Sequence, residues 1–264
     1  METKNAKPMI IEMENVTVCK KGNILLDNFS LNIKNGENVA IIGPNGAGKS
    51  SFIKTVTGDL RPLHSEKTIV RLFGKERRDI FGLRNKMGII SGDLQDEYMR
   101  NIPGIEVVVS GFFSSIGLYR NHSITGDMKR RAHEVLGFLG IENLASRPIN
   151  EMSTGQARRL LVARALVHDP DVLILDEPTN SLDLRAQHIF RQSMRTIASK
   201  GKNIILVTHN LEDLVPEIDR VVLLSEGSVY RDGPTDEILT AENLSDIFGI
   251  QVQVFSKDGY YHAW

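Results

Sequence analysis

The stretch from Val39 to Ser51 constrains the fold of this chain more than any other part of its sequence. It begins with Val39–Ile42, a short apolar run that is typical of a fully buried strand. A loop of small side-chain bulk and the start of a helix follow: Gly43, Pro44, Asn45, Gly46, Ala47, Gly48, Lys49, Ser50 and Ser51. The spacing G-x-x-x-x-G-K-S between a strand and a helix is the pattern of a phosphate-binding loop.

The residue types in this phosphate loop, 43–51, suit the binding of phosphate groups. Glycines allow backbone N–H groups to approach phosphate oxygens, and the start of a helix adds the positive end of its dipole. Lys49 supplies a point charge for the β- and γ-phosphates, and the Ser50 hydroxyl is placed to bind Mg²⁺. A glycine-rich turn with a solvated lysine is the alternative. We predict a nucleotide site formed by the whole loop, with Lys49 also acting in catalysis.

Length, charge and cysteine content limit the class of protein. The chain has 264 residues, which favours one large α/β domain with a subdomain. A formal net charge of -1 gives no global attraction to nucleic acid, so we expect no nucleic-acid partner. Cys19 is the only cysteine, which fits a reducing compartment. We expect neither a signal peptide nor an apolar run near the ~20 residues of a membrane helix, so membrane association would require a partner.

Two kinds of apolar pattern predict two kinds of sheet. Continuous apolar runs predict parallel strands covered on both faces, at Met87–Ile90, Val172–Leu175, Ile204–Val207 and Val221–Leu224. Shorter or alternating segments near the start predict a separate antiparallel sheet, at Met9–Met13, Val16–Cys19 and Phe29–Ile33. The dipeptide Asn35-Gly36 predicts a hairpin turn leading into the Val39 strand.

Helices are predicted mainly in the middle of the chain. The strand signal disappears between Gly92 and Glu151, which indicates a helical insertion containing an amphipathic helix over 127–140. A further helix over 155–167 follows, with Ser153 or Thr154 as its N-cap. Near the end, the Lys257-Asp258-Gly259 turn predicts a hairpin of 251–255 with 260–264.

An apolar strand that ends in two carboxylates predicts the second half of a nucleotide site. Asp176 and Glu177 directly follow Val172–Leu175. In a chain with a phosphate loop, Asp176 at the strand's end can hold Mg²⁺ through its water shell. Glu177, one residue further on, is placed to polarise the attacking water. We predict Asp176 as a metal ligand and Glu177 as a catalytic residue.

Three further segments resemble the motifs of one family, the ATP-binding cassette (ABC) ATPases. The segment Met152-Ser153-Thr154-Gly155-Gln156 resembles the family's Leu-Ser-Gly-Gly-Gln signature, and Ser181-Leu182-Asp183 resembles its D-loop. His209, just after the Ile204 run, resembles its switch histidine. All motifs occur in the family's order, and the resemblance covers roughly Ile10 to Gly249.

The resemblance implies a fold, a cofactor and a partner. The fold is α/β, with a P-loop NTPase (RecA-like) core containing a parallel sheet, an N-terminal antiparallel β subdomain and an inserted α-helical subdomain. We expect the ATP-binding domain over 8–249, its helical subdomain over about 95–152, and a C-terminal β-hairpin tail over 250–264.

The family further implies a homodimer in which two copies sandwich two ATP molecules with Mg²⁺. Signature and D-loop residues would contact the partner's nucleotide, namely Ser153, Thr154, Gly155, Gln156 and Asp183. His209 would contact the γ-phosphate and take part in catalysis.

Two departures from the family bear on the nucleotide site. In the family an aromatic residue usually stacks on adenine, but the corresponding place here falls on Lys20, beside Val18 and Cys19, and no aromatic residue is present there. The Q-loop glutamine would fall on Gly92 in the usual register, with Gln95 three residues later. We predict Gln95 as the ligand of Mg²⁺ and of the γ-phosphate.

Two kinds of family member remain as functional hypotheses. The first is the ATPase subunit of an importer, cytoplasmic and held at the inner face of the cell membrane by a permease. The end of the chain resembles importer cassettes for iron complexes, cobalamin and molybdate. Residues of 107–119 would line a groove for the permease, or else pack inside the helical subdomain: Phe112, Phe113, Ile116, Leu118 and Tyr119.

The second hypothesis is a soluble ABC ATPase that regulates another assembly without a membrane partner. Chromosome and DNA-repair cassettes fit poorly, because they insert long coiled coils between the two nucleotide motifs and no heptad repeat occurs here.

Overall fold

A computed structural model describes residues 8–76, 85–91 and 101–264. The chain divides into two compact units. The first unit comprises Met1–Leu83 with Asn203–Trp264, and the second comprises Arg84–Lys202. Both positions considered for the Q-loop glutamine, Gly92 and Gln95, lie outside the described residues.

The elements are numbered in chain order. The strands are β1 (Met9–Lys20), β2 (Asn23–Lys34), β3 (Val39–Ile42), β4 (Ile69–Leu72), β5 (Lys75–Glu76), β6 (Met87–Ile90), β7 (Val172–Asp176), β8 (Asn203–Thr208), β9 (Arg220–Ser225), β10 (Ser228–Pro234), β11 (Val254–Lys257) and β12 (Tyr260–Ala263). The α-helices are α1 (Lys49–Thr57), α2 (Gly104–Val109), α3 (Gly126–Phe138), α4 (Thr154–Leu166), α5 (Leu184–Ser199), α6 (Thr235–Ile238) and α7 (Ala241–Phe248). Short 3₁₀ turns occur at Ser110–Phe113, Glu142–Leu144, Ile149–Glu151 and Leu211–Asp213.

The predicted antiparallel sheet forms in the first unit, with the strand order β2-β1-β4-β5. Alternate residues of β2 are buried over 29–33, as the sequence pattern there predicts. The two strands predicted at the start of the chain are one strand, β1. Its pairing with β2 shifts register between Met13 and Val16, where Asn15 has a φ of 50°. An irregularity inside a strand interrupts the apolar alternation without ending the pairing.

A second sheet of the first unit carries the phosphate loop. Strand β3 lies between β8 and β9, parallel to both, and β10 pairs antiparallel with β9. Ile42 pairs with Thr208, so Gly43 and His209 follow the ends of neighbouring strands. The carboxyl ends of parallel strands are the usual place for a ligand in an α/β fold.

The predicted hairpin at Asn35-Gly36 is wrong. The turn forms there, but β2 pairs with β1 whereas β3 belongs to the other sheet. All residues of β3 are buried, which requires neighbours on both sides and on both faces. A turn dipeptide predicts where the chain reverses, but it does not select the strand that pairs after the reversal.

The second unit combines a parallel pair of strands with most of the helices. Strands β6 and β7 are parallel, in the register Met87 with Val172. Helix α4 packs against β6 so closely that a Cβ on Gly88 would lie 2.7 Å from the Ala165 carbonyl oxygen. The described part of 104–151 holds helices and 3₁₀ turns, and α3 buries the apolar face that its sequence predicts.

The end of the chain forms a hairpin of β11 and β12, shorter than predicted. Parallel strands, a separate antiparallel sheet and a helical segment are all present, which confirms the predicted fold class. Among the described residues, no helix has the length and apolar character needed to cross a bilayer.

Candidate nucleotide site

The phosphate loop connects β3 to α1 along a path that requires glycine. A Cβ on Gly43 would lie 2.5 Å from the Leu224 carbonyl oxygen, so no larger residue fits there. Gly48 caps α1 with a φ of 102°, which is accessible mainly to glycine. No side chain caps this helix end. The first turn of α1 therefore presents backbone N–H groups to which no side-chain oxygen is bonded.

Lys49 is folded back over the loop that precedes it. Its Nζ atom donates to the carbonyl oxygens of Gly43 at 2.7 Å and Pro44 at 3.1 Å. The residue is buried, whereas Ser50 is exposed and Ser51 half-buried. The ammonium group is therefore held at the phosphate loop, and the next residue, Ser50, is exposed.

The phosphate loop is supported by a glycine that sequence analysis missed. The Gly227 N–H donates to the Ala47 carbonyl oxygen at 3.1 Å, and the Asp27 N–H donates to the Gly227 carbonyl oxygen at 3.0 Å. Gly227 lies in the turn between β9 and β10, far from the loop in sequence. The Glu226-Gly227 turn was the available signal, but it does not reveal which loop the turn contacts.

The carboxylate pair lies at the end of β7, as predicted. Asp176 is the last residue of this strand, and both Asp176 and Glu177 are half-buried. Glu177 has a φ of 46°, and its carbonyl oxygen accepts from the Asn180 N–H at 3.3 Å. A non-glycine residue in this conformation is strained, and such strain persists where the surroundings fix the backbone. The turn after β7 therefore holds Glu177 in a defined backbone position.

The signature segment, Met152–Gln156, starts α4 with a reciprocal cap. Ser153 is the N-cap, and its Oγ accepts from the Gln156 N–H at 3.3 Å. The Gln156 side chain accepts from the Ser153 N–H at 3.0 Å. The structure therefore selects Ser153 over Thr154 as the cap, because Thr154 is the first helical residue.

The signature segment and the D-loop lie together in the second unit. A Cβ on Gly155 would lie 2.7 Å from the Ala186 Cβ, so only glycine allows α4 and α5 to approach this closely. Asp183 caps α5 by accepting from the Ala186 N–H at 2.7 Å. A pocket of about 410 Å³ lies there, lined by Ser153, Gly155, Gln156, Arg159, Asp183, Arg185, Ala186 and Ile189. Burial lowers the pKa of the Arg159 guanidinium in this pocket.

His209 directly follows β8 and is exposed. The segment around it is held from inside, because the buried Thr208 Oγ1 donates to Asp213 Oδ2 at 2.7 Å. The same Thr208 oxygen accepts from the Asn210 N–H at 3.0 Å. Asp213 is another residue that sequence analysis missed, since it does not directly follow the apolar run of β8 and belongs to none of the recognised motifs.

Two other sets of predicted residues occupy different surroundings. Near the expected adenine position, Lys20 is exposed, Cys19 is half-buried and Val18 is buried. In the segment after α2, Phe113 stacks on His122 with ring centroids 4.1 Å apart, and Tyr119 contacts the same imidazole edge-on. Tyr119 is 54% exposed, whereas the other predicted groove residues are half-buried: Phe112, Phe113, Ile116 and Leu118. The segment is therefore neither a closed core nor a fully open groove.

Comparison of the sequence identifies its relatives. A family model described as ABC transporter matches residues 26–180. A putative ABC transporter ATP-binding protein of Streptococcus mutans is 31% identical, over 94% of this chain and 95% of the relative. A hemin import ATP-binding protein, HmuV of Bradyrhizobium diazoefficiens, is 33% identical, over 89% of this chain and 87% of the relative.

Solved structures give the same result. The chain resembles cbiO1 from Clostridium perfringens, part of the ABC transporter complex cbiONQ, with a TM-score of 0.76 and 29% identity over 91% of this chain and 94% of that one. It also resembles a bacterial ABC transporter cassette solved as a dimer, with a TM-score of 0.67 and 28% identity over 85% of this chain and 98% of that one. The chain therefore belongs to the ABC transporter family, as an ATP-binding cassette that hydrolyses ATP.

Proposed function

We propose that this cassette powers the import of a metal complex or an oxyanion through a membrane permease. The observation that carries this proposal is the phosphate loop, with Lys49 held over it, in a chain whose relatives include a hemin import protein. The resemblance of the chain's end to importer cassettes for iron complexes, cobalamin and molybdate supports the same class of cargo. The expected domain bounds, 8–249 with a helical subdomain over about 95–152 and a tail over 250–264, stay part of this proposal.

The phosphate loop binds the triphosphate in this proposal. Backbone N–H groups of Gly46 to Ser51 surround the phosphates, and the Lys49 ammonium moves from its carbonyl acceptors to the β- and γ-phosphates. Charge-assisted hydrogen bonds to phosphate are stronger than bonds to neutral carbonyl groups, which favours this exchange.

Mg²⁺ fits the oxygen donors that the sequence provides. The exposed Ser50 hydroxyl and the half-buried Asp176 carboxylate are hard oxygen ligands of the kind that Mg²⁺ prefers. Gln95 completes the proposed set. When bound, the ion supplies positive charge that offsets the charge of the β- and γ-phosphates.

Glu177 and His209 act on the same nucleotide in this proposal. Glu177 accepts a hydrogen bond from the attacking water and orients it toward the γ-phosphorus. His209 donates a hydrogen bond to a γ-phosphate oxygen. The strained backbone at Glu177 and the Thr208–Asp213 hydrogen bond support these roles, because both fix the backbone that carries the two side chains.

A second copy of the chain completes each site in this proposal. The signature segment and the D-loop of one copy would contact the γ-phosphate held by the other, through Ser153, Thr154, Gly155, Gln156 and Asp183. The dimeric structure of a related cassette supports this arrangement. The surface around Tyr119 and His122 would contact the permease, which would hold the cassette at the inner face of the membrane.

The substitution Glu177→Gln tests the chemistry. The amide keeps the size of the side chain but is a poor base, so we expect ATP hydrolysis to fall about a thousandfold. ATP affinity is retained, and size-exclusion chromatography shows an ATP-dependent dimer. Hydrolysis at the parental rate would show that another residue orients the water.

Copurification tests the transporter assignment. The tagged Glu177→Gln cassette is isolated from detergent-solubilised membranes with ATP, and polytopic membrane proteins in the eluate are identified. Recovery of one permease in stoichiometric amount supports the proposal. Recovery of the cassette only from the soluble fraction contradicts it and favours the second hypothesis, a soluble ATPase that regulates another assembly.

A further inference from the structure

The tail hairpin, formed by β11 and β12, packs against the segment that carries His209. We call His209–Asp213 the switch loop. Strand β12 contacts the 3₁₀ turn of this loop, and His262 Nδ1 lies 3.2 Å from Glu212 Oε1. At the hairpin tip, Gly259 lies against Pro216, three residues beyond the loop. The hairpin therefore touches the switch-loop region at two separate points.

The contact at the hairpin tip is tight enough to depend on one glycine. A Cβ on Gly259 would lie 2.8 Å from the Pro216 Cβ and 3.1 Å from its Cγ. Separations below 3 Å between carbon atoms are strongly repulsive, so a residue larger than glycine would move the turn or the proline. The hairpin tip and the switch-loop region are thus in direct van der Waals contact.

The hairpin is itself anchored to the body of the first unit. Within the tail, the Gln253 N–H donates to the Trp264 carbonyl oxygen at 2.9 Å and the Trp264 N–H donates back at 3.2 Å, which closes the base of the hairpin. The Val252 N–H donates to Ser245 Oγ on α7 at 3.0 Å. Because α7 buries Leu244 and Ile247 in the core, the hairpin forms a fixed support for the switch loop.

A pocket of about 220 Å³ lies between these parts. His209 lies on one side of it, with Leu211, and the tail contributes Val252 and Trp264. Polar contacts hold the switch loop from inside, through Thr208 and Asp213, whereas the tail contacts it from outside. An exposed loop with one supported face is free to shift, but support on both faces leaves few backbone conformations.

We propose that the tail hairpin positions His209 for catalysis. Gly259 and His262 are positioning residues, because they act through Pro216 and Glu212 and touch no nucleotide. This inference rests on the proposed role of His209. A displacement of a catalytic group by about 1 Å can lower turnover up to a hundredfold without changing substrate affinity, so the effect appears in kcat rather than in KM.

The test compares two glycine substitutions in the full-length chain. Gly259→Ala introduces the contact with Pro216 at a φ of 77°, in the turn between β11 and β12. Gly74→Ala introduces the same strain at a φ of 71° in the turn between β4 and β5, where a Cβ meets nothing within 4 Å. We expect Gly259→Ala to lower the kcat of ATP hydrolysis about tenfold with KM for ATP unchanged, and Gly74→Ala to leave both at the parental value.

A second pair of variants tests the contact between His262 and Glu212. His262→Ala removes the side chain and is expected to lower kcat about threefold, since an exposed pair of this kind is weak. His262→Asn keeps a donor at the position of Nδ1 and is expected to restore kcat. Equal kcat values for His262→Ala and the parental chain, or failure of His262→Asn to restore it, would contradict a positioning role.

A double-substitution cycle separates this inference from the proposed function. If the tail acts through His209, then Gly259→Ala lowers kcat no further in a His209→Ala background. A full kcat for His209→Ala alone would overturn the proposed role of the histidine. A low kcat for His209→Ala beside a parental kcat for Gly259→Ala would overturn only the positioning inference, as would a defect in Gly259→Ala that disappears at high protein concentration.

Discussion

The sequence motifs at the starts of α1 and α4 both predict contacts with phosphate. The two helix starts differ in whether a side chain of the same helix end already accepts from their backbone N–H groups. Gly48 caps α1 without a side-chain hydrogen bond. Ser153 and Gln156 close a reciprocal capping box at the start of α4. Helix α1 also carries the Lys49 ammonium in its first turn, whereas the first turn of α4 holds no charged residue.

This difference indicates two kinds of phosphate contact. The start of α1 offers backbone donors, a helix dipole and a cation from one chain, which suits tight binding. The start of α4 already satisfies the Gln156 N–H with its own serine, so a contact with phosphate would share or replace that hydrogen bond. We therefore expect α1 to determine ATP affinity and α4 to respond to the nucleotide more weakly.

The largest expected effect comes from Lys49. Lys49→Ala removes the cation from the phosphate loop, and we expect ATP affinity to fall at least about a hundredfold, since charge-assisted hydrogen bonds contribute about 1.5–3 kcal/mol each. Calorimetric titration with ATP measures the change. Lys54→Ala, on the exposed face of the same helix, is the matched control. An unchanged ATP affinity of Lys49→Ala would contradict the expectation that the start of α1 determines how tightly ATP binds.

The next effect concerns the contact between α4 and α5. Gly155→Ala places a methyl group against Ala186, and overpacking of this kind costs about 1–3 kcal/mol of unfolding free energy. Gly126→Ala is the control, because a Cβ in the first turn of α3 meets nothing within 4 Å. Chemical denaturation measures both variants. A Gly155→Ala chain as stable as the control would show that α4 and α5 separate without cost.

A smaller effect is expected from the cap itself. Ser153→Ala removes the N-cap of α4 and is expected to cost about 1 kcal/mol of unfolding free energy. Thr125→Ala removes the equivalent cap of α3, whose Oγ1 accepts from Met128 N at 3.2 Å. We expect equal destabilisation in denaturant titrations, with slower ATP hydrolysis only for Ser153→Ala. Slower hydrolysis in both variants would assign the serine a structural role alone.

The smallest effect concerns the opposite end of α4. Asp169 follows this helix and pairs with Lys202 at 2.9 Å and with Arg131 at 3.4 Å. The hydrogen bond from Lys202 lowers the pKa of the Asp169 carboxyl below its usual 3.8. A lowered pKa gives stability that is present above about pH 4 and is lost as the pH falls through the folded-state pKa.

Asp169→Asn tests this contribution. Solvent screens a carboxylate that is 67% exposed, so we expect a loss of about 0.5 kcal/mol of unfolding free energy at pH 7 and a smaller difference near pH 3. Urea titrations at the two pH values measure it. A difference that grows toward low pH would have the wrong sign for this ion pair.

The sequence predicts the local parts of this molecule better than their long-range contacts. The four continuous apolar runs all form the predicted strands. A strand that is covered on both faces must consist almost entirely of apolar residues, so such a run is easily recognised. The cap of α4 is also local, because Ser153 and Gln156, which form it, are only three residues apart. Asn35-Gly36, by contrast, predicts a turn whose flanking strands then join different sheets.

In the nucleotide site, too, the sequence predicts local motifs but not long-range contacts. Lys49 and Glu177 are recognised because their neighbours in sequence form a motif. Gly227 and Gly259 support loops that lie far away along the chain, and their contacts depend on packing that no local pattern encodes. Whether Gln95 ligates Mg²⁺ stays a prediction.

The hydrogen bonds of Lys49 to its own loop have a consequence for selectivity among anions. An incoming anion must compete with two carbonyl oxygens for the ammonium group. Chloride is a single small ion and inorganic phosphate a single group, so each engages few donors at once, whereas a triphosphate engages several backbone donors together. We therefore expect Lys49 to disfavour binding of small anions and to make affinity rise with the number of phosphate groups in the ligand.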